Sequence, residues 1–163
     1  MVIPVRTAAW AALAASSAAL AIALLSEYVL GLVPCELCLW QRWPYRAVAA
    51  LSLLALVLPR LARSFMVGAL LATLAGTGLA ATHVGVEQGW WPSPLPSCSA
   101  ASLGGGSIAE RLARMPERPA KPCDAPVFLV PGLPVSMAAM NGLFALALAC
   151  FLAMSAKQKQ DTL

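Results

Sequence analysis

Thr7–Ser26 reads TAAWAALAASSAALAIALLS, twenty residues without a charge. A helix rises ~1.5 Å per residue, so roughly 17 to 25 apolar residues cross the hydrocarbon layer of a bilayer. Three more apolar blocks follow, at about Tyr45–Leu58, Phe65–Thr82 and Val135–Ala156. The last two meet the same length. The Tyr45–Leu58 block is short unless it begins upstream, near residue 40, which brings in Gln41, Arg42, Pro44 and Arg46. The arginines would then reach the headgroup layer along their apolar stems. Composition agrees: 60% of the 163 residues are hydrophobic and 11% charged, against about half and a quarter in soluble domains. Four blocks apolar on every side leave almost no face for water, which argues against buried soluble helices. The first block also exceeds the ~7 to 15 residues of a signal-peptide core and lacks a small-x-small cleavage site after it, so it is expected to be retained. Pro34 before Cys35 does not suit a lipoprotein site. The expectation is an all-α membrane protein: one integral domain over residues 1–163, with transmembrane helices at about 7–26, 40–58, 65–82 and 135–156. Two outer loops follow from this, the longer over 83–134.

Small residues recur four apart at Gly68, Ala72, Gly76 and Ala80, the pattern by which membrane helices approach closely. Charge sets orientation. The N-terminus, the turn after Leu58 and the C-terminal tail carry Arg6, Arg60, Arg63, Lys157 and Lys159 against Asp161 alone, while the opposite loops carry six basic and six acidic residues. The positive-inside rule makes both termini cytoplasmic and the loops external. The net charge of +4 is thus a topology signal, and no basic-aromatic face for nucleic acid is visible. Within the long loop, Ile108–Met115 patterns as a short amphipathic turn, either resting on the membrane surface or simply solvated.

Chemistry resides in the cysteines. Cys35, Cys38, Cys98 and Cys123 fall in the two outer segments and Cys150 within the last block. Disulfides persist outside the reducing cytoplasm, so cysteine placement and topology agree. Cys35-Glu36-Leu37-Cys38 follows Pro34, a good helix start, and three-residue spacing puts both sulfurs on one helical face. A helix N-terminus lowers a thiol pKa, and the thiolate is the reactive species. Arg42, four residues beyond Cys38, falls on that face, where its charge would stabilise a thiolate or a reduced quinone anion. Pro44 interrupts the helix or delays its start.

Cys98 and Cys123 lie 25 residues apart. A bond between them is either a staple of about 3 to 4 kcal/mol on the chain-entropy model or half of a thiol–disulfide relay. A structural zinc is set aside, because strong zinc signals pair two C-x-x-C units or add histidines at set spacing. Cys150 reads as a small apolar residue. His83, the single histidine, is an interfacial residue or a hydrogen-bond donor to a quinone carbonyl. Glu36 is a solvated acid or a proton acceptor.

Pro34-Cys35-Glu36-Leu37-Cys38-Leu39-Trp40-Gln41-Arg42-Trp43-Pro44-Tyr45 closely resembles the first outer loop of the disulfide bond formation protein B (DsbB) family, especially its alphaproteobacterial branch. His83-Val84-Gly85-Val86-Glu87-Gln88-Gly89-Trp90-Trp91 with Cys98, and Cys123-Asp124 followed by Ser136-Met137-Ala138-Ala139-Met140-Asn141, resemble its later signatures. The resemblance implies an enzyme of the bacterial inner membrane that reoxidises a periplasmic DsbA-type thioredoxin-fold protein and passes the electrons to ubiquinone or menaquinone. It implies redox disulfides Cys35–Cys38 and Cys98–Cys123. Cys98 would be attacked by the partner, Cys123 would exchange with Cys35, and Cys38 would form a thiolate–quinone complex with Arg42 holding the quinone. DsbA is a strong oxidant, at about −120 mV, and a membrane quinone is the acceptor such a potential requires. The stretch between Cys98 and Cys123 departs from the family's pattern, as does Pro131-Gly132-Leu133-Pro134.

Other readings stay open: a paralogue dedicated to one substrate, a reductase of the vitamin K epoxide type, or a non-catalytic scaffold with structural disulfides. The reductase type carries its quinone-facing C-x-x-C in the last helix, whereas here the pair precedes the second. A scaffold has no need of a helix-start C-x-x-C followed by an arginine at helical spacing.

Overall fold

Backbone groups in hydrocarbon must satisfy one another, so apolar runs of this length fold as helices. The computed structural model describes residues 3–95, 98, 107, 109, 121–129 and 132–157, and among them the regular elements are all helical. They are α1 (Val5–Tyr28), α2 (Glu36–Trp40), α3 (Arg42–Val57), a 3-10 turn (Pro59–Leu61), α4 (Ala62–Glu87) and α5 (Met137–Lys157). The amphipathic turn expected over 108–115 lies, except for residue 109, outside the described residues.

Three of these helices are long and apolar enough to cross a membrane: α1, α4 with its leading turn, and α5. α3 has 16 residues, a rise of about 24 Å. Pro44 is the reason it starts where it does. Proline has no N–H to offer the Trp40 carbonyl, and its ring would clash with it. α2 therefore ends at Trp40, and α3 begins with Pro44 in its first turn, where an N–H would have had no helical partner. Gln41 between them keeps helical dihedrals (φ −65°, ψ −15°), so the two helices are offset rather than separated.

α3 packs against α1 on one side and α4 on the other, and α4 packs in turn against α5. The interior is small and mildly polar: Ala12, Ser16, Val48, Ser52, Ala69 and Thr73 are buried, with Leu148 and Leu152 among the few large side chains. Ser16 and Thr73 return their hydroxyls to their own helices, donating to the carbonyls of Ala12 and Ala69 at 2.8 Å. Large apolar residues point outward instead, including Trp10, Ile22, Leu25, Leu71, Leu143 and Leu146. A soluble bundle has the opposite arrangement. Small contacts inside with Leu and Ile outside is how helices pack in lipid.

The small-residue stripe on α4 meets α3. A Cβ on Gly76 would stand 3.0 Å from Pro44 Cβ, and one on Gly68 would stand 3.3 Å from Leu51 Cδ1. Gly76→Leu must therefore push α3 from α4, at a cost of roughly 1 to 3 kcal/mol. Thermal unfolding in detergent should show a lowered midpoint; an unchanged midpoint would mean the two helices do not meet there.

Candidate active site

Cys35 is the N-cap of α2, with its sulfur accepting the backbone N–H of Cys38 at 3.3 Å. One helical turn brings Cys38 over it, and the two sulfurs are hydrogen-bonded at 3.0 Å. Both are thiols here. An S–S bond is ~2.05 Å long, so a small side-chain rotation closes or opens the pair.

The hydrogen bond with Cys38 is the main reason Cys35 titrates below an ordinary thiol. Burial opposes this shift, and the hydrogen bond with His83 adds to it. The hydrogen bond between the two sulfurs, reinforced by burial, pushes Cys38 up. The reduced pair therefore holds one thiolate, on Cys35, and one thiol, on Cys38. Thiolate absorbance in the reduced protein, taken as the difference from Cys35→Ser, should persist well below the 9.0 of an ordinary thiol. Absorbance appearing only near the ordinary thiol value would refute this assignment. The folded value lies below the unfolded one, so this stabilisation is complete above pH 9.0, declines below it, and is lost as pH falls through the lowered folded value.

His83 reaches the pair from α4. It is 2% exposed, with Nε2 3.5 Å from Cys35 Sγ and Nδ1 2.8 Å from Gln41 Nε2. A chain of hydrogen bonds runs onward: Tyr45 Oη donates to Asn141 Oδ1, and Asn141 Nδ2 donates to Gln41 Oε1, both at 2.6 Å. With its carbonyl so occupied, Gln41 donates its amide to Nδ1. This assigns the neutral ring proton to Nε2, against Cys35. Glu87, one turn further along α4, has Oε1 3.9 Å from His83 Nε2, while its Oε2 accepts from Ser136 Oγ at 2.5 Å.

Cys98 and Cys123 form a disulfide, with Cα atoms 5.0 Å apart. Both are buried, in one apolar cluster with Cys35, Leu37 and Val86, against which Cys38 and Leu95 pack. Cys35, Cys38, Cys98 and Cys123 thus meet at one end of the bundle. Trp91 helps bring the chain there: its indole N–H donates to the Thr82 carbonyl at 3.1 Å. Its ring lies so close to Gly85 that a Cβ would be 2.0 Å away. Beyond Cys123, Met137 N–H donates to the Val127 carbonyl at 2.7 Å, tying the returning segment to the start of α5.

Below the thiols opens a cleft of about 290 Å³ between α1, α3 and α5, lined mainly by apolar side chains such as Leu20, Ile22, Val127, Leu129 and Phe144. Ser26, Cys38, Gln41, Arg42, Tyr45 and Asn141 supply its polar side chains. An apolar slot with few convergent polar groups suits a flat, mostly apolar ligand. Arg42 is buried and forms an ion pair with Glu27 at 2.7 Å, its other terminal nitrogen being 3.5 Å from the Ala23 carbonyl. Of the two residues expected to hold a cofactor, Arg42 lines the cleft and His83 does not; His83 faces Cys35 and Gln41. Glu36 accepts from the Trp40 indole N–H at 3.1 Å, and Cys150 is exposed on α5. Sequence reasoning gave no role to Glu27, Gln41, Tyr45, Glu87 or Asn141. An amide within an apolar block is the signal that singles out Asn141, since polar groups at membrane depth are expensive.

An all-helical membrane protein whose cysteine pairs cluster beside an apolar cleft belongs to the class of membrane thiol–disulfide oxidoreductases. The family model described as "Disulfide bond formation protein DsbB" matches residues 5–155, and the chain belongs to that family. An uncharacterized protein of Rickettsia prowazekii (strain Madrid E) is 30% identical over 135 residues, covering 82% of this chain and 77% of the relative. That relative agrees with the alphaproteobacterial branch. No solved structure matches the chain.

Proposed function

We propose that this protein is a quinone-linked thiol oxidase of the bacterial inner membrane that reoxidises a periplasmic DsbA-type thioredoxin-fold partner. The observation that carries the reading is the position of Cys38, which packs against the cluster holding Cys98 and Cys123 and also lines the apolar cleft. One side chain thereby links a site of disulfide exchange to a site suited to quinone.

In this reading the chain is one integral domain over residues 1–163 with four membrane spans. α3 completes its span with the offset α2 above it and the Pro59–Leu61 turn below. Both termini are cytoplasmic, as the basic residues there favour. The outer segments are periplasmic, the longer running from the last turn of α4 at residue 83 to residue 134.

A partner thiolate attacks Cys98, Cys123 leaves, and the partner's second thiol completes its own disulfide. Cys123 then attacks Cys35 of a closed Cys35–Cys38 pair, releasing Cys38 as a thiolate facing the cleft. With Cys35 engaged elsewhere, the hydrogen bond that raises Cys38 is gone. Cys98 next displaces Cys35, which restores the Cys98–Cys123 disulfide and leaves Cys35 and Cys38 reduced. His83 donates Nε2–H to the Cys35 thiolate, and Gln41 fixes that tautomer. Arg42, held by Glu27, presents positive charge at the cleft, and the apolar lining excludes water. Held in that cleft beside Cys38 and Arg42, a ubiquinone or menaquinone would supply the acceptor for two electrons and two protons per disulfide made. As Cys35 and Cys38 close, they supply that electron pair.

The test is turnover. Purified protein in detergent, given a reduced DsbA-type partner and a soluble quinone analogue, should consume quinone catalytically, and thiol trapping should catch a mixed disulfide through Cys98. Absence of both with several thioredoxin-fold partners would transfer the weight to a dedicated paralogue or a non-catalytic scaffold.

A further inference from the structure

Cys35 Sγ, Cys38 Sγ and a ring nitrogen of His83 lie within 4.8 Å of one another. From the juxtaposition of these three atoms with the Glu87 carboxylate we infer that the reduced Cys35–Cys38 pair forms a site for a thiophilic divalent cation of the Zn²⁺ class. The inference goes beyond the oxidase reading, since it requires neither partner nor quinone.

Geometry fits the ion. Zinc takes four ligands in a tetrahedron, with Zn–S ~2.3 Å and Zn–N ~2.0 Å, which puts sulfur and nitrogen ~3.5 Å apart and two sulfurs ~3.8 Å apart. The Cys35 Sγ to His83 Nε2 distance is 3.5 Å already. The sulfurs, at 3.0 Å, need only to part slightly, and Cys38 has the cleft to move into. Water completes the shell, on the side where Glu87 Oε1 stands 3.9 Å from Nε2.

The surroundings fit as well. Metal-bound histidines normally hydrogen-bond through the far nitrogen. Here Gln41 holds Nδ1 and Ser136 holds Glu87. Binding to Nε2 moves the ring proton to Nδ1. Gln41 accepts it there if its amide turns over, and Asn141 and Tyr45 can reverse with it without losing a hydrogen bond.

Binding makes two metal–sulfur bonds and one metal–nitrogen bond, displaces water from the ion, and sends the Cys38 thiol proton to solvent. No electron moves. A disulfide between Cys35 and Cys38 removes both sulfur ligands, so the site exists only in the reduced protein. An ion held there ties up both sulfurs and stops disulfide exchange.

The experiment uses the full-length protein in detergent, reduced by a phosphine, without quinone or partner, and titrated with Co²⁺ as a spectroscopic stand-in for zinc. The expected result is one cobalt per chain, with a sulfur-to-metal charge-transfer band and intense tetrahedral d–d bands. Reoxidised protein and Cys35→Ser should lack them, while Cys98→Ser should keep them. Gln41→Leu should weaken binding by roughly 10- to 100-fold. X-ray absorption on zinc-loaded wild type, which needs no variant, should find two sulfur scatterers with nitrogen or oxygen completing the shell. No charge-transfer band in reduced wild type, bands retained by Cys35→Ser, or a four-sulfur shell would each overturn the assignment. Quinone turnover is read separately, so failure here leaves the oxidase reading standing, and the reverse.

Discussion

On the proposed mechanism, Cys38→Ser should bring quinone reduction down to the uncatalysed rate. The sulfur that lines the cleft is gone, and Cys35 has no neighbour with which to close a disulfide, so no electron pair can leave the thiols. Cys35→Ser gives the same loss, because the two residues act as a unit and their effects do not add. Cys98→Ser separates the halves of the relay. It abolishes turnover with the protein partner yet leaves quinone reduction by a small dithiol, which reaches the Cys35–Cys38 pair directly. The assay follows quinone absorbance, with partner oxidation read in parallel by alkylation. Turnover retained in both Cys35→Ser and Cys38→Ser would end the proposal.

The largest expected effect on stability is at Glu27. Arg42 is 8% exposed and its charge is matched by Glu27 at 2.7 Å. Glu27→Leu leaves a buried guanidinium unpaired, which costs about 3 to 5 kcal/mol. Glu27→Leu with Arg42→Leu should recover most of that loss, since apolar residues often replace a buried ion pair without penalty. On the proposed mechanism, the double variant remains slow in quinone reduction while folding normally, because the cleft has lost its positive charge. Thermal unfolding measures the first effect, and turnover by the refolded protein the second. A Glu27→Leu protein as stable as wild type would mean the pair is solvated in the membrane.

Sequence legibility followed the range of the interactions. The neighbourhood of Cys35 and Cys38 is local: three-residue spacing at a helix start brings their sulfurs together whatever the rest of the chain does. Pro44 is local too, and its missing N–H forces the offset between α2 and α3. Membrane character is also readable from the chain, because it depends on the summed apolarity of a run and not on its partners. The stripe through Gly68 and Gly76 even marks the face of α4 that meets α3, since only small residues permit that approach.

The rest required the folded chain. His83 is 48 residues from Cys35, Asn141 is 100 residues from Gln41, and Arg42 is 19 residues from the Ala23 carbonyl beside it. Each contact depends on how one helix is rotated about its axis and how far it has slid along its neighbour. In a soluble bundle, an apolar stripe reports that rotation. These helices are apolar on every side because lipid covers the outside as hydrocarbon fills the inside, so the pattern carries little phase. By itself the sequence determined a helical membrane protein with a reactive cysteine pair at a helix start. Only tertiary packing decided that His83 and Glu87 stand over that pair, that Glu27 holds Arg42, and that Cys38 opens onto an apolar cleft.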